Sequence, residues 1–221
     1  MVEENLKKLL FDRLRGTRTA LIVVDVQNDF CHSQGSFSKR KAELSPIQKK
    51  VVPSLISFIS QYRQFNLPII FIRTVHSDWT NSPSWLGRMG GAAHKFPVCL
   101  PDSWGAEFYE VEPETTDCIV TKHRYSAFVG TDLNLILRSK GIETILLTGV
   151  ATNICVETTA RDGFNLDYNV ILVEDCCGAY IAEEHASTLT NISKYFGIVT
   201  DSKTIKKIMA SKRFIGRRKS L

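Results

Sequence analysis

No stretch of this chain strings together the roughly 20 apolar side chains that a membrane-spanning helix needs. Its opening segment, MVEENLKKLLFDRLRG, has no uninterrupted apolar core of the kind a secretory signal requires. These absences lead us to expect a soluble, cytoplasmic protein without a membrane partner. Metal-ligand spacing is missing as well. The six cysteines, Cys31, Cys99, Cys118, Cys155, Cys176 and Cys177, form no CxxC pair matched by a second CxxC or a His pair. That argues against a structural zinc site, and without an export signal a disulfide framework is not expected either. A cysteine in such a chain is ordinarily a small buried apolar residue, so a chemical role for any of them has to rest on its position. Internal repeats and low-complexity linkers are also lacking. Acids are absent from one place: Lys203–Leu221 holds eight basic residues and none of opposite sign, so with a net charge of +5 the remainder carries 5 − 8 = −3. The basic character therefore belongs to a tail. With one aromatic, Phe214, and no base-reading motif, that tail is expected to be a solvated or subunit-contacting helix, and no nucleic-acid partner is expected. We expect one domain over residues 1–202 and a basic tail or helix over 203–221.

What is present is alternation. Ala20–Val26 (ALIVVDV), Leu67–Val75, Cys118–Lys122, Thr144–Val150, Val170–Glu174 and Gly197–Val199 read as strands. Several are continuously apolar, which indicates burial on both faces, as in a parallel sheet. Between them, Pro46 to Gln64, Thr131–Lys140 with Gly141 as its stop, Asn153 onward, and Ala182–Ser193 read as helices. This is the pattern of a doubly wound, three-layer α/β fold of the Rossmann-like kind, with helices on both faces of a six-stranded, mainly parallel sheet. The stretch from His76 to Glu112 has no clear period, and a loop that long in a compact domain is usually functional.

Ligands of such folds bind beyond the carboxyl ends of the strands. Asp25 ends the first strand, Lys122 ends the Cys118–Lys122 strand, and Cys155 follows Val150 at a helix start. A helix N-terminus and a nearby ammonium both favour a thiolate, and can lower its pKa well below about 8.5. The same helix start offers backbone N–H groups to an oxyanion. Asp25 then serves as the base that takes the thiol proton and returns it to a leaving nitrogen. The plain alternatives are an Asp that caps a turn and a Lys that is solvated.

At these residues the sequence resembles the isochorismatase-like cysteine hydrolases. The likeness runs from about Thr19 to Asp201 and rests on ALIVVDVQNDF (Ala20–Phe30), KHRYSAF (Lys122–Phe128), LNLILRSKGI and TGVATNICVETTARDGFNLDY (Thr148–Tyr168). The resemblance implies strand order 3-2-1-4-5-6. It implies Asp25 as general base, Lys122 as charged partner and Cys155 as nucleophile. It further implies a cis peptide between Val150 and Ala151, an oxyanion held by the N–H groups of Ala151 and Cys155, no cofactor, and a homodimer or homotetramer.

Departures from particular branches narrow the choice. Cys155 sets the chain apart from the true isochorismatases, which lack that cysteine. Nicotinamidases carry an Asp-x-His pair and a later His that hold a metal; here the stretch reads Asp78-Trp79-Thr80. Asp78, His76 and His94 are acceptable ligand types, but a metal-free site is the reading adopted. The wording is most similar to the ureidoacrylate and biuret branch. That resemblance implies a small-molecule ureido, carbamoyl or amide substrate, cut through a thioester with release of ammonia or carbamate. The alternatives are a metal-assisted nicotinamidase and a non-catalytic binding protein of the same fold. Phe30, His76, Trp79 and Tyr125, the last one helical turn past Lys122, are candidates for the substrate pocket. Gln27 and Asn28 are expected to orient Asp25 or cap its turn, and Arg161 to pair with Asp162 or with backbone.

Overall fold

The computed structural model describes residues 2–14, 18–39, 44, 46–88 and 97–211. The apolar runs form β1 (Thr19–Val24), β2 (Ile69–Thr74), β3 (Cys118–Lys122), β4 (Thr144–Val150), β5 (Asn169–Gly178) and β6 (Gly197–Thr200). They pair in the order β3-β2-β1-β4-β5-β6. Every pairing is parallel. Because side chains alternate across a strand, β1 feeds two cores. Leu21 and Val23 join one, while Ala20, Ile22 and Val24 join the other.

The helices that close these cores are α1 (Val2–Leu14), α2 (Val52–Arg63), α3 (Leu133–Ser139), α4 (Glu157–Asn165), α5 (Ala182–Asn191) and α6 (Ser202–Met209). Leu10 and Leu14 of α1, Leu55 and Phe58 of α2, and Ile205 and Met209 of α6 cover the first face. Leu133 and Leu137 of α3, Ala160 of α4 and Leu189 of α5 cover the second. Gly141, at φ 63°, ends α3 as expected of a residue free to enter the left-handed region.

Three boundaries differ from the sequence reading. β1 stops at Val24 because Asp25 takes φ 52°, which turns the chain out of the sheet. β5 continues past Glu174 to Gly178, and there the polar Asp175 is occupied by the Ser202 N–H and hydroxyl at 2.8 and 2.6 Å. Part of the basic tail is built into the fold as α6, whose Ile205 and Met209 are buried while Lys203 and Lys207 face solvent. The remaining tail, 212–221, lies outside the described residues. No helix among the described residues is long and apolar enough to cross a membrane.

The strand order reverses between β1 and β4, and a crevice opens there above the carboxyl ends. Gly149, paired with Val24, sets how closely the two strand ends approach. Its φ is 105°, and a Cβ there would meet the Val24 carbonyl oxygen at 2.0 Å.

Candidate active site

Four strand ends converge on this crevice. Thr74 ends β2 and Lys122 ends β3, paired in register. Asp25 follows β1, and Cys155 lies in the π-helical first turn, Thr152–Val156, that leads into α4. β3 and β1 are separated by β2, about 10 Å at the usual strand spacing. The long lysine stem spans that gap. Its ammonium, wholly buried, meets Asp25 Oδ2 at 2.7 Å, Thr74 Oγ1 at 2.7 Å, the Arg124 carbonyl at 3.0 Å and Cys155 Sγ at 3.4 Å. Thr74 donates its hydroxyl hydrogen to Asp25 Oδ1 at 3.0 Å. Burial alone would lower the Lys122 pKa, but the adjacent Asp25 carboxylate outweighs it and raises the value. The Val150–Ala151 peptide is cis.

One expectation changes sign. The thiolate was expected to be favoured in the resting site, yet burial pushes the Cys155 thiol up, with the Asp25 charge adding to it and Lys122 only partly opposing. Burial thus favours the neutral thiol beside the ion pair.

The cavity above this floor is about 80 Å³. Phe30, His76 and Tyr125 line it, as do Val150, Ala151 and Ile154. Tyr125 sits in the irregular segment after β3, not on a helix. Trp79 must be corrected: it is 98% exposed and is not among the lining residues. The hydrogen bonds of Thr80 and Asn81 N–H to the Ser77 carbonyl, 3.0 and 2.9 Å, close a turn that throws its indole outward. Trp85, on the helical turn Pro83–Gly87, takes the wall position instead, with Arg88 and Arg124 beside it. The sequence reading missed Thr74, Phe37, Trp85, Arg88, Arg124 and Tyr180. Thr74 was findable by the same strand-end rule that found Lys122; the loop residues carried no periodic signal.

Gln27, Asn28 and Asp29 act mainly on the long loop. Gln27 accepts from Thr74 N–H at 2.7 Å and donates to the Thr74 and Ala106 carbonyls at 2.9 and 2.8 Å. Asn28 donates to the Trp104 carbonyl at 2.8 Å, and Asp29 accepts from Cys99 N–H at 2.6 Å. The strand-end motif thus clamps the loop over the site. Arg161 pairs with Glu157 at 2.6 Å, one turn back on the same helix, not with Asp162. Thr80, where a histidine ligand would stand, instead uses its hydroxyl within its own turn, accepting from Ser77 N–H at 3.0 Å. Among the described residues no group of three His, Cys, Asp or Glu is placed to hold a metal. His94 lies outside the described residues.

His76, buried and 5.2 Å from the Trp85 ring, has its pKa lowered to about 4, first by burial and then by Arg88, Lys122, His123 and Arg124. An unfolded histidine titrates near 6.5, so between those values the unfolded chain binds more protons and folding weakens as pH falls. The expected loss from pH 7 to 4 is on the order of 3 kcal/mol. Urea denaturation of wild type and His76→Phe across that range measures it, as the part of the pH dependence that the variant lacks.

An isochorismatase domain profile matches residues 19–204. The chain is 30% identical over 209 residues to a ureidoacrylate amidohydrolase of Acinetobacter baylyi, covering 87% of this chain and 84% of that protein. Its fold is similar to a cysteine hydrolase of Pseudomonas syringae pv. phaseolicola, with a TM-score of 0.75 and 27% identity over 87% of this chain and 92% of that one. It is also similar to N-carbamoylsarcosine amidase from Thermoplasma acidophilum, with a TM-score of 0.68 and 29% identity over 84% and 96% of the two chains.

Proposed function

The chain belongs to the isochorismatase family and is a hydrolase of C–N bonds, and from that premise we propose that it cuts a small ureido, carbamoyl or amide compound through a thioester on Cys155. The observation that carries this reading is the buried cluster in which one ammonium touches both the Asp25 carboxylate and the Cys155 sulfur, at 2.7 and 3.4 Å.

Each group has a step that its position suits. Because burial favours the neutral thiol, its proton passes to Asp25 as Sγ attacks the carbonyl carbon. Lys122 balances the charge moving between sulfur and carboxylate while Thr74 holds both partners in place. The carbonyl oxygen becomes an alkoxide directed at the N–H groups of Ala151 and Cys155, at a helix start where amides lack intrahelical acceptors. When the tetrahedral adduct collapses, the C–N bond breaks and the Asp25 proton goes to the departing nitrogen, which leaves as ammonia or amine. Water then attacks the thioester, giving its proton to Asp25, and the acid or carbamate departs as the proton returns to sulfur.

Ammonia release from carbamoylated amino acids, ureidoacrylate, biuret and nicotinamide, followed with intact-mass spectra of the enzyme, tests this. The expected result is release from a ureido compound with a mass increase on Cys155. Turnover without any cysteine adduct under rapid quench, or release from none of the compounds, would overturn it.

A further inference from the structure

Cys155 rides on a turn that leans on a neighbouring helix. Thr152–Val156 is π-helical, a wider and rarer winding than the α-helix. Within it the Ile154 and Val156 N–H groups both reach the Ala151 carbonyl, at 3.0 and 3.2 Å. Three side chains of this turn and the start of α4 bond to α5. Asn153 donates to Glu184 at 2.7 Å, Thr188 donates to Glu157 at 2.6 Å, and between these links Thr152 Oγ1 meets His185 Nδ1 at 2.9 Å.

The middle link differs from the outer two. The Asn153–Glu184 bond is exposed, and Glu157 is held a second time by Arg161. Thr152 is wholly buried, and His185 Nδ1 is the one partner of its hydroxyl among the described residues. A buried hydroxyl hydrogen is costly to leave without an acceptor, so Nδ1 accepts it and the ring carries its own hydrogen on Nε2. Burial lowers the His185 pKa, which favours the neutral ring that this bond needs. Thr152 stands one residue after Ala151 and three before Cys155, the two residues whose N–H groups receive the oxyanion in the reaction proposed above.

We propose that His185 is a positioning residue for this reaction: through Thr152 it holds the nucleophile turn in the setting where the Ala151 and Cys155 N–H groups meet the oxyanion. The inference rests on the thioester reading of the cavity. His185 is not among the lining residues, so it acts through the turn and not on the substrate. Backbone donors stabilise a transition state when their direction is set before the charge forms. A turn free to relax would bind substrate as before and the tetrahedral adduct less well, so the loss falls on kcat and spares KM.

Ammonia release from the compound that wild type turns over fastest is the first test. His185→Leu and Thr152→Val should each lower kcat about ten-fold or more, with KM within about two-fold of wild type. The double variant should be no slower than His185→Leu, because both substitutions cut one link. His185→Asn, which puts an amide oxygen near the place of Nδ1, should restore kcat to within about three-fold of wild type. The second test needs no turnover. Acetaldehyde adds to Cys155 as its carbonyl carbon bonds to sulfur and the thiol proton passes to the carbonyl oxygen, which then lies where the oxyanion would. Its affinity by calorimetry should fall about ten-fold in both single variants, while iodoacetamide labels Cys155 within about three-fold of the wild-type rate.

Unchanged kcat and aldehyde affinity in both single variants would overturn the positioning role and leave the amidohydrolase standing. Losses that multiply in the double variant, or a change confined to KM, would overturn it too. Weakened aldehyde binding in both variants, with no ammonia from any compound, would do the reverse. A wild type that neither releases ammonia nor binds the aldehyde would sink both. Thr152→Val removes one hydroxyl and keeps the side-chain shape, so it decides alone should His185→Leu not fold.

Discussion

Cys155→Ala abolishes turnover, by a factor on the order of 10⁴ or more, and leaves the protein folded. The factor is what removal of a nucleophile costs when the surrounding groups act as a unit with it. The fold should survive because the substitution deletes one sulfur and keeps the Asp25–Lys122 pair, whose 2.7 Å contact does not pass through the thiol. Cys155→Ser should do no better, since a hydroxyl is a far weaker acid and burial already favours the neutral form of the thiol. Cys31→Ala and Cys177→Ala serve as controls: both sulfurs are buried in the two cores, and neither lines the cavity. More than about 1% residual activity in Cys155→Ala, with tight binding retained, would mean that water is attacked directly and no thioester forms.

Lys122→Met should damage stability and catalysis together. It leaves the Asp25 carboxylate, 1% exposed, without its counter-charge, and breaking one side of a buried ion pair costs about 3–5 kcal/mol. The double variant Asp25→Asn/Lys122→Met separates the two effects. Removing both charges deletes the desolvation penalty along with the attraction, so most of the lost stability should return. Activity should not, because both the proton acceptor and the balancing charge are gone. A double-mutant cycle by urea denaturation, run beside the ammonia assay, reads both quantities. Recovery of turnover in the double variant would show that the pair only supports the fold. The pair itself should survive mild alkali: the folded Lys122 pKa lies above its usual 10.5, so its contribution is complete below that value and is lost only as pH rises through the raised one.

Much of this was legible from local pattern. Continuous apolar runs such as Thr144–Val150 announced buried parallel strands, because no surface residue is needed on a strand covered on both faces. The positions of Asp25, Lys122 and Cys155 followed from the rule that ligands meet strand ends. Local pattern failed where the chain has no period. Trp79 and Trp85 are equivalent as aromatic residues of the His76–Glu112 loop, yet one is 98% exposed and the other walls the cavity. The choice is made by the turn that Thr80 and Asn81 N–H close on the Ser77 carbonyl, which sends one indole outward, and by the short helix Pro83–Gly87, which carries the other to the cavity wall; neither turn has a periodic signature in the sequence.

The sequence alone therefore determined which reactive groups stand at the carboxyl edge of the sheet, since side-chain periodicity reports burial face and strand length directly. Only the tertiary structure decided what those groups experience. Folding buries the Cys155 sulfur beside Asp25 as well as Lys122, so its proton is held more firmly, where the helix start and the ammonium by themselves would have loosened it. Folding likewise brings Arg88 and Arg124, 36 positions apart (124 − 88), onto one indole. Desolvation and through-space charge depend on three-dimensional neighbours, and no linear spacing encodes them.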